Sequence, residues 1–274
     1  MIIDTHSHLN DKQFSVKDGP ASGGDLDEVI MRMKMANVST ITVGTDYEMS
    51  KKAIEIAEKY NWWATVGQHP ADNKSESFDY VKYLELAKNE RVVGIGECGL
   101  DYYHDKTEEG RIRQKKLFEQ QIELALEVGK PLMLHVRDAY EDVLTILNSY
   151  FIFHNSKLSG NVHFFSGTWQ VAKKFLDMNF TLSFSGTITF SHQYDEVVKN
   201  VSDDMFMVET DSPYVLPEPY RGLARAGLGT KRNEPAFVVE VIKKIAQLRG
   251  DNPEHIIELT ARTTSRVFGF GLQI

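Results

Sequence analysis

The segment Asp4-Thr5-His6-Ser7-His8 sets two imidazoles two positions apart near the start of the chain. On a strand, residues two apart share a side, so both rings can turn towards one cation. Four further residues with ligand chemistry attend short apolar runs: Glu97 after Val92 to Gly96, His135 ending Leu132 to His135, His163 within Asn161 to Phe164, and Asp211 after Phe206 to Glu209. Any one of them alone reads first as a satisfied polar group at a strand end. Their recurrence at corresponding places carries more weight. If the runs are strands of one barrel, their ends converge on one face, and four histidines and two carboxylates meet in a bowl. Mixed imidazole and carboxylate donors suit Zn²⁺, Mn²⁺ or Mg²⁺. Six donors exceed one tetrahedral site and suit two divalent ions sharing a bridging carboxylate.

The elements that must position these side chains form an alternation of β-branched runs and amphipathic helical runs, the pattern of βα units on a parallel sheet. Eight strands are predicted, over 2–4, 40–43, 63–66, 92–95, 132–135, 161–164, 181–184 and 205–209. Most are short and apolar, as strands covered on both faces must be. Asp25 with Glu28 resembles a capping box ahead of the stripe Leu26, Val29, Ile30 and Met33. Phe118, Ile122 and Ala125 form a second stripe ending at Gly129, and after Pro235 a third runs through Val238, Val241, Ile242, Ile245 and Leu248. Asn252 and Pro253 open a last helix. Residues 18–24 read as a loop in the first unit, and 213–235 as a long loop after the eighth strand. At 274 residues the chain suits one (β/α)8 TIM barrel, an α/β fold with the metal site at the C-terminal strand ends, and a single domain over 1–274 is expected.

Composition narrows the class. The chain is 42% hydrophobic, 26% charged and 11% aromatic, enough for a large core and unlike a disordered or fibrous protein. No stretch reaches the roughly 20 apolar residues that span a bilayer, and no basic, then apolar leader follows Met1, so a cytoplasmic protein without membrane contact is expected, with a nuclear or mitochondrial pool open in a eukaryote. The single cysteine, Cys98, excludes an internal disulfide. The net charge of −8 repels polyanions globally, so an anionic substrate must be met by metal or by a few placed cations.

The motifs His6-Ser7-His8-Leu9, Gly67-Gln68-His69-Pro70, Gly96-Glu97-Cys98-Gly99-Leu100-Asp101-Tyr102-Tyr103, His163-Phe164-Phe165-Ser166-Gly167, Glu209-Thr210-Asp211-Ser212-Pro213-Tyr214 and Lys231-Arg232-Asn233-Glu234-Pro235 resemble the signatures of TatD-type metal-dependent deoxyribonucleases. The resemblance spans nearly the whole chain. It implies a TIM barrel of the amidohydrolase superfamily, a divalent metal cofactor and hydrolysis of DNA phosphodiesters, often from the 3′ end. It also implies ligand roles for His6, His8, Glu97, His135, His163 and Asp211, with Glu97 where lysine-bridged members of the superfamily carry a carboxylated lysine. Cys98 departs from the branched apolar residue common at its place; it reads as a small buried residue, with a soft-metal ligand as the alternative.

In this reading His6, His8, Glu97 and Asp211 hold one ion and Glu97, His135 and His163 the other, with Glu97 and Asp211 catalytic and Asp211 taking the proton of the activated water. His69, Arg137, Lys231 and Arg232 are expected to meet phosphate, and Asp101 and Tyr102 to orient ligands or contact substrate. Tyr103, Phe165, Trp169 and Tyr214 are candidates for stacking on bases, which favours single-stranded DNA ends. His104 lies near the bowl, while His154, His192 and His255 read as surface or structural. No groove-reading element is present, so base specificity is expected to be weak. A monomer is the default. Two other classes compete: a metal-dependent hydrolase of a small amide, lactone or aminoacyl ester, and a metal-binding adaptor without turnover.

Overall fold

The computed structural model describes residues 1–14, 26–73, 75–154 and 158–272. Eight strands lie in chain order in one parallel sheet: β1 (Ile2–Ser7), β2 (Val38–Val43), β3 (Trp63–Val66), β4 (Val92–Asp101), β5 (Leu132–Arg137), β6 (Gly160–Val162), β7 (Phe180–Phe184) and β8 (Phe206–Val208). The connections carry α1 (Leu26–Met35), α2 (Tyr47–Tyr60), α3 (Tyr80–Ala87), α4 (Glu108–Val128), α5 (Tyr140–His154), α6 (Trp169–Asp177) and α7 (Asp195–Asn200). Three helices follow β8: α8 (Tyr220–Arg225), α9 (Val238–Arg249) and α10 (Pro253–Phe268). The sheet curls until β8 meets β1. There Ser7 pairs with Ser212, the His8 amide donates to the Ser212 carbonyl, and the Asp211 amide donates to the His6 carbonyl. Buried Asp4 ties the same seam by accepting from the amide and hydroxyl of Thr210. The result is the (β/α)8 barrel that the alternation of runs predicts.

The helical stripes are buried as their periodicity requires. Val29, Ile30 and Met33 of α1, Phe118, Ile122 and Ala125 of α4, and Val238, Val241, Ile242 and Ile245 of α9 all face the sheet, with Leu26 and Leu248 partly covered. Gly129 ends α4 in the left-handed conformation (φ 66°), and Asn252 caps α10 by accepting from the His255 amide. Asp25 and residues 18–24 lie outside the described residues. Inside the barrel a separate apolar plug of Ile3, Ile41, Trp63, Val93, Met133 and Met207 packs on Ala261 and Phe268 of α10. The loop after β8 is not bare: it contains α8 and is pinned by Asn233, whose amide donates to the carbonyls of Thr210, Tyr214 and Val215.

Two strands depart from the sequence expectation in ways that matter for the site. β4 does not end at Ile95; it continues to Asp101, with Ile95 opposite Leu132 and Cys98 opposite Leu134. Three residues of β4 thus span two of β5, a bulge that turns Glu97 out of the regular alternation. Gly96 and Gly99 flank it at φ 147° and 136°. A Cβ on Gly96 would lie 2.4 Å from the Met133 carbonyl oxygen, and one on Gly99 2.1 Å from that of His135. β1 shifts in the same sense between Asp4 and Ser7, across from Thr40 and Thr42, under His6.

Candidate metal centre and active site

The C-terminal strand ends enclose an open cavity of about 720 Å³. His8, Glu97, His135, His163 and Asp211 line it, and fully buried His6 lies directly beside them. Glu97 faces different partners with each oxygen. Its Oε2 lies 3.3 Å from His6 Nε2 and 3.6 Å from His8 Nε2. Those ring nitrogens are 3.1 Å apart, and Asp211 Oδ1 stands 3.8 and 3.4 Å from them. Donors sharing a tetrahedral cation at bonds of about 2.0–2.2 Å stand about 3.3–3.6 Å apart, so this group has the spacing of a single ion's ligands. Glu97 Oε1 lies 2.8 Å from His135 Nδ1 and 3.0 Å from His163 Nε2, which are 3.3 Å from each other. One carboxylate therefore borders two donor groups, and the stacked rings of His6 and His163, 3.8 Å between centroids, join them.

Burial and charge set the protonation of these donors. Burial lowers His6 to about 3, with the neighbouring His163 adding to the shift, so its ring is neutral at pH 7 and has a lone pair to offer. Burial alone would raise Glu97, but His163, His69, His6 and His135 around it hold its carboxyl well below the usual range. Burial opposes charge on His163, yet the carboxylates of Glu97 and Glu209 pull it well above its ordinary value. A cation joining this group must therefore displace a proton.

The backbone around the cavity is strained where bulky residues take positive φ. Phe164 (φ 46°), Asp211 (φ 55°) and Val215 (φ 50°) all line it. Such residues are held left-handed only where the surrounding structure over-determines them, and they cluster at functional sites. The turn at Asp211 brings its carboxylate back over His6 and His8, which the run Met205 to Glu209 does not reveal.

Of the expected substrate contacts, the structure brings His69, Asp101 and Arg137 to the cavity wall. It does not bring Tyr102, Lys231 or Arg232 there. The Tyr102 hydroxyl donates to Asp142 at 2.7 Å and its ring lies under Arg111. Lys231 is exposed outside the lining. Arg232 is buried on Phe14, donates to the Gln13 carbonyl and pairs with Glu234 at 3.0 Å, so its charge is spent within the fold. Tyr214 is half exposed on the cavity wall, Tyr103 is half exposed outside the lining with its ring against Arg137, Phe165 is core and Trp169 packs on the core. Burial pushes the Cys98 thiol up, and its sulfur faces the Ile95 and Met133 carbonyls, so it is a packing residue. His192 is exposed, His255 pairs with Asp251 at 2.7 Å, and the side chain of His154 lies outside the described residues.

Two carboxylates support the donors from behind. Asp101 accepts from His135 Nε2 at 3.0 Å and from His104 Nδ1 at 2.7 Å, on the opposite edge of the His135 ring from Glu97. Burial would raise it, but these bonds hold it well below the usual range. These bonds fix the orientation of the His135 ring. Glu209, wholly buried, accepts from the Phe164 amide at 2.7 Å and from the Ser183 hydroxyl, and faces His163 Nδ1 at 3.5 Å. Sequence reasoning passed over Glu209; an acid ending the apolar run Phe206–Val208, two residues before Asp211, was the available signal. Carboxylates behind ligand histidines fix the ring and raise its basicity. Asp101→Asn is expected to weaken divalent-ion binding about 10- to 100-fold, read by calorimetric titration, with melting temperature nearly unchanged. Unchanged ion affinity would remove Asp101 from this role.

A TIM barrel that gathers histidines, a glutamate and an aspartate at its strand ends is the frame of a metal-dependent hydrolase. The family model for TatD related DNase matches residues 3–269, and the chain belongs to the TatD family. It is 39% identical to the uncharacterized metal-dependent hydrolase YabD of Bacillus subtilis, over 98% of this chain and 99% of that protein. It is 33% identical to the 3′-5′ ssDNA/RNA exonuclease TatD of Cronobacter sakazakii, over 89% and 92%. The crystal structure of YjjV, a TatD homologue from Escherichia coli, superposes with a TM-score of 0.80 at 26% identity, covering 98% of both chains. The protein is a metal-dependent hydrolase whose His, Glu and Asp cluster can bind metal. Among the described residues no helix is long and apolar enough to cross a membrane.

Proposed function

We propose that this hydrolase is a deoxyribonuclease that removes nucleotides from the 3′ end of single-stranded DNA, using two divalent ions. The observation that carries the reading is the division of Glu97 between two donor groups, Oε2 towards His6 and His8 and Oε1 towards His135 and His163. The Cronobacter relative's name supports the substrate class. Bound in such a pair, divalent ions neutralise phosphoryl charge and make water nucleophilic near neutral pH. His6, His8, Glu97 and Asp211 would hold one, and Glu97, His135 and His163 the other. Asp211, whose carboxylate opens onto the cavity, would take the proton from the attacking water with the oxygen that does not face His6 and His8. His69, whose Nδ1 accepts from the Ala71 amide at 3.2 Å and whose Nε2 lies 3.5 Å from Glu97 Oε1, would carry its proton on Nε2 and donate it to a phosphoryl oxygen beside Glu97. The cavity is open at the barrel mouth, which suits the end of a chain held by its backbone by a single protein molecule.

One observation favours a second reading. Arg137 is the one lysine or arginine among the described residues lining the cavity, a sparse cationic complement for a polyanion. A small ester, lactone or amide would need less. The two are separated by offering a single-stranded oligonucleotide and a panel of aryl esters and lactones to the same metal-loaded protein. The nuclease reading expects kcat/KM on the oligonucleotide to exceed that on any ester by at least about a hundredfold. The reverse order would replace it.

A further inference from the structure

The rim of the cavity is chemically one-sided. On the β4 and β5 side, Tyr103 is half exposed, and the Arg137 guanidinium stacks on its ring with 4.0 Å to the centroid. Lys106 lies over the same ring at 5.5 Å. Among the described residues neither cation has a carboxylate partner; neighbouring Asp138 does not pair with Arg137, and nearby Asp105 faces Arg113. On the β1 and β3 side the wall carries Asp11 and Asp72 instead. The Arg137 and Tyr103 pairing follows from the sheet, since Asp101 lies opposite Arg137 in the β4 and β5 register and the Tyr102 amide donates to the Arg137 carbonyl. Arg137 follows His135 by two residues, so it shares that side of β5 about 6–7 Å further out. This is roughly one phosphate further along an extended strand.

We infer that Tyr103, Arg137 and Lys106 form a binding platform for the single strand on the 5′ side of the scissile bond, so that the chain leaves the cavity over β4 and β5 and avoids the Asp11 and Asp72 lip. This rests on the 3′-end reading above and adds to it the direction of the strand and the subsite that holds it. A guanidinium stacked on an aromatic ring keeps its N–H edges free for phosphate, and the remaining ring surface takes a base without regard to its identity. The platform reaches only substrates longer than the shortest cleavable piece. Its contribution must therefore grow with length and then level off.

The experiment compares wild type with Tyr103→Ala/Arg137→Ala on oligodeoxythymidylates of two to eight nucleotides. It adds the salt dependence of binding for a fluorescent octanucleotide with phosphorothioate linkages at its 3′ end. The wild-type kcat/KM ratio of octamer to dimer is expected to be at least about tenfold and to fall towards one in the double variant, through KM on the longer substrates. The slope of log affinity against log salt should drop by about 0.7 for the lost phosphate contact. A ratio that is the same in both proteins, or an unchanged salt slope, overturns the platform and leaves the nuclease reading standing. If wild type cleaves none of the oligomers, that reading fails. The binding slopes then decide the platform alone: a variant-dependent slope supports it and an unchanged slope overturns it.

Discussion

Glu97→Ala should remove activity by at least about a thousandfold and leave a protein that binds divalent ion more than about a hundredfold more weakly, with a near-native circular dichroism spectrum. The reason is geometric. Among the described residues Glu97 is the one side chain whose two oxygens face both donor groups, and its removal leaves His6 and His8 without Oε2 and His135 and His163 without Oε1. It also withdraws one of the two carboxylates that pull up His163, leaving Glu209 as the other. Glu97→Gln sharpens the test, because it keeps shape and volume but offers one carbonyl oxygen in place of two anionic ones. Metal content by mass spectrometry should fall from two equivalents to at most one. Full stoichiometry in both variants, with activity within tenfold of wild type, would place the centre elsewhere.

Gly99→Ala is expected to damage the same centre without touching a donor atom. A methyl group there would stand 2.1 Å from the His135 carbonyl oxygen, on backbone at φ 136° that L residues rarely adopt. Either β4 and β5 separate or the bulge that aims Glu97 is lost. The cost should be about 3 kcal/mol or more, a fall of about 6 °C or more in melting temperature, accompanied by weaker metal binding. Gly129→Ala is the control. It also has positive φ, but nothing lies within 4 Å of its new methyl, so it should cost about 1 kcal/mol and leave metal binding intact. Equal melting temperatures for the two variants would mean that β4 is not held by this close approach.

The barrel was legible because its strands and helices obey local rules: buried runs such as Trp63–Val66 were bounded correctly, and the α1, α4 and α9 stripes face the sheet. The donors were legible because histidines and acids recur after those runs. What the periodicity of single strands could not convey was register. The β4 bulge depends on a carbonyl of β5 lying against Gly99, a contact between residues far apart in sequence. For the same reason neither the bond between His135 and Asp101 nor the pairing of Arg232 with Glu234, two residues on, could be read from the sequence. Charge reveals its purpose only with its partner in view: both arginines lie on an aromatic ring, but Arg232 is buried and paired with Glu234, whereas Arg137 is exposed with no carboxylate partner among the described residues.

The measurement that bears most directly on the central claim follows nucleotide release from a 3′-labelled single-stranded oligonucleotide by metal-stripped protein resupplied in turn with Mg²⁺, Mn²⁺ or Zn²⁺. A 5′-labelled copy of the same strand runs beside it. The account predicts no release before an ion is added. Afterwards the 3′ label should appear at once as a mononucleotide, while the 5′ label shortens one nucleotide at a time. Absence of release with every ion, from protein shown to have bound them, would contradict it.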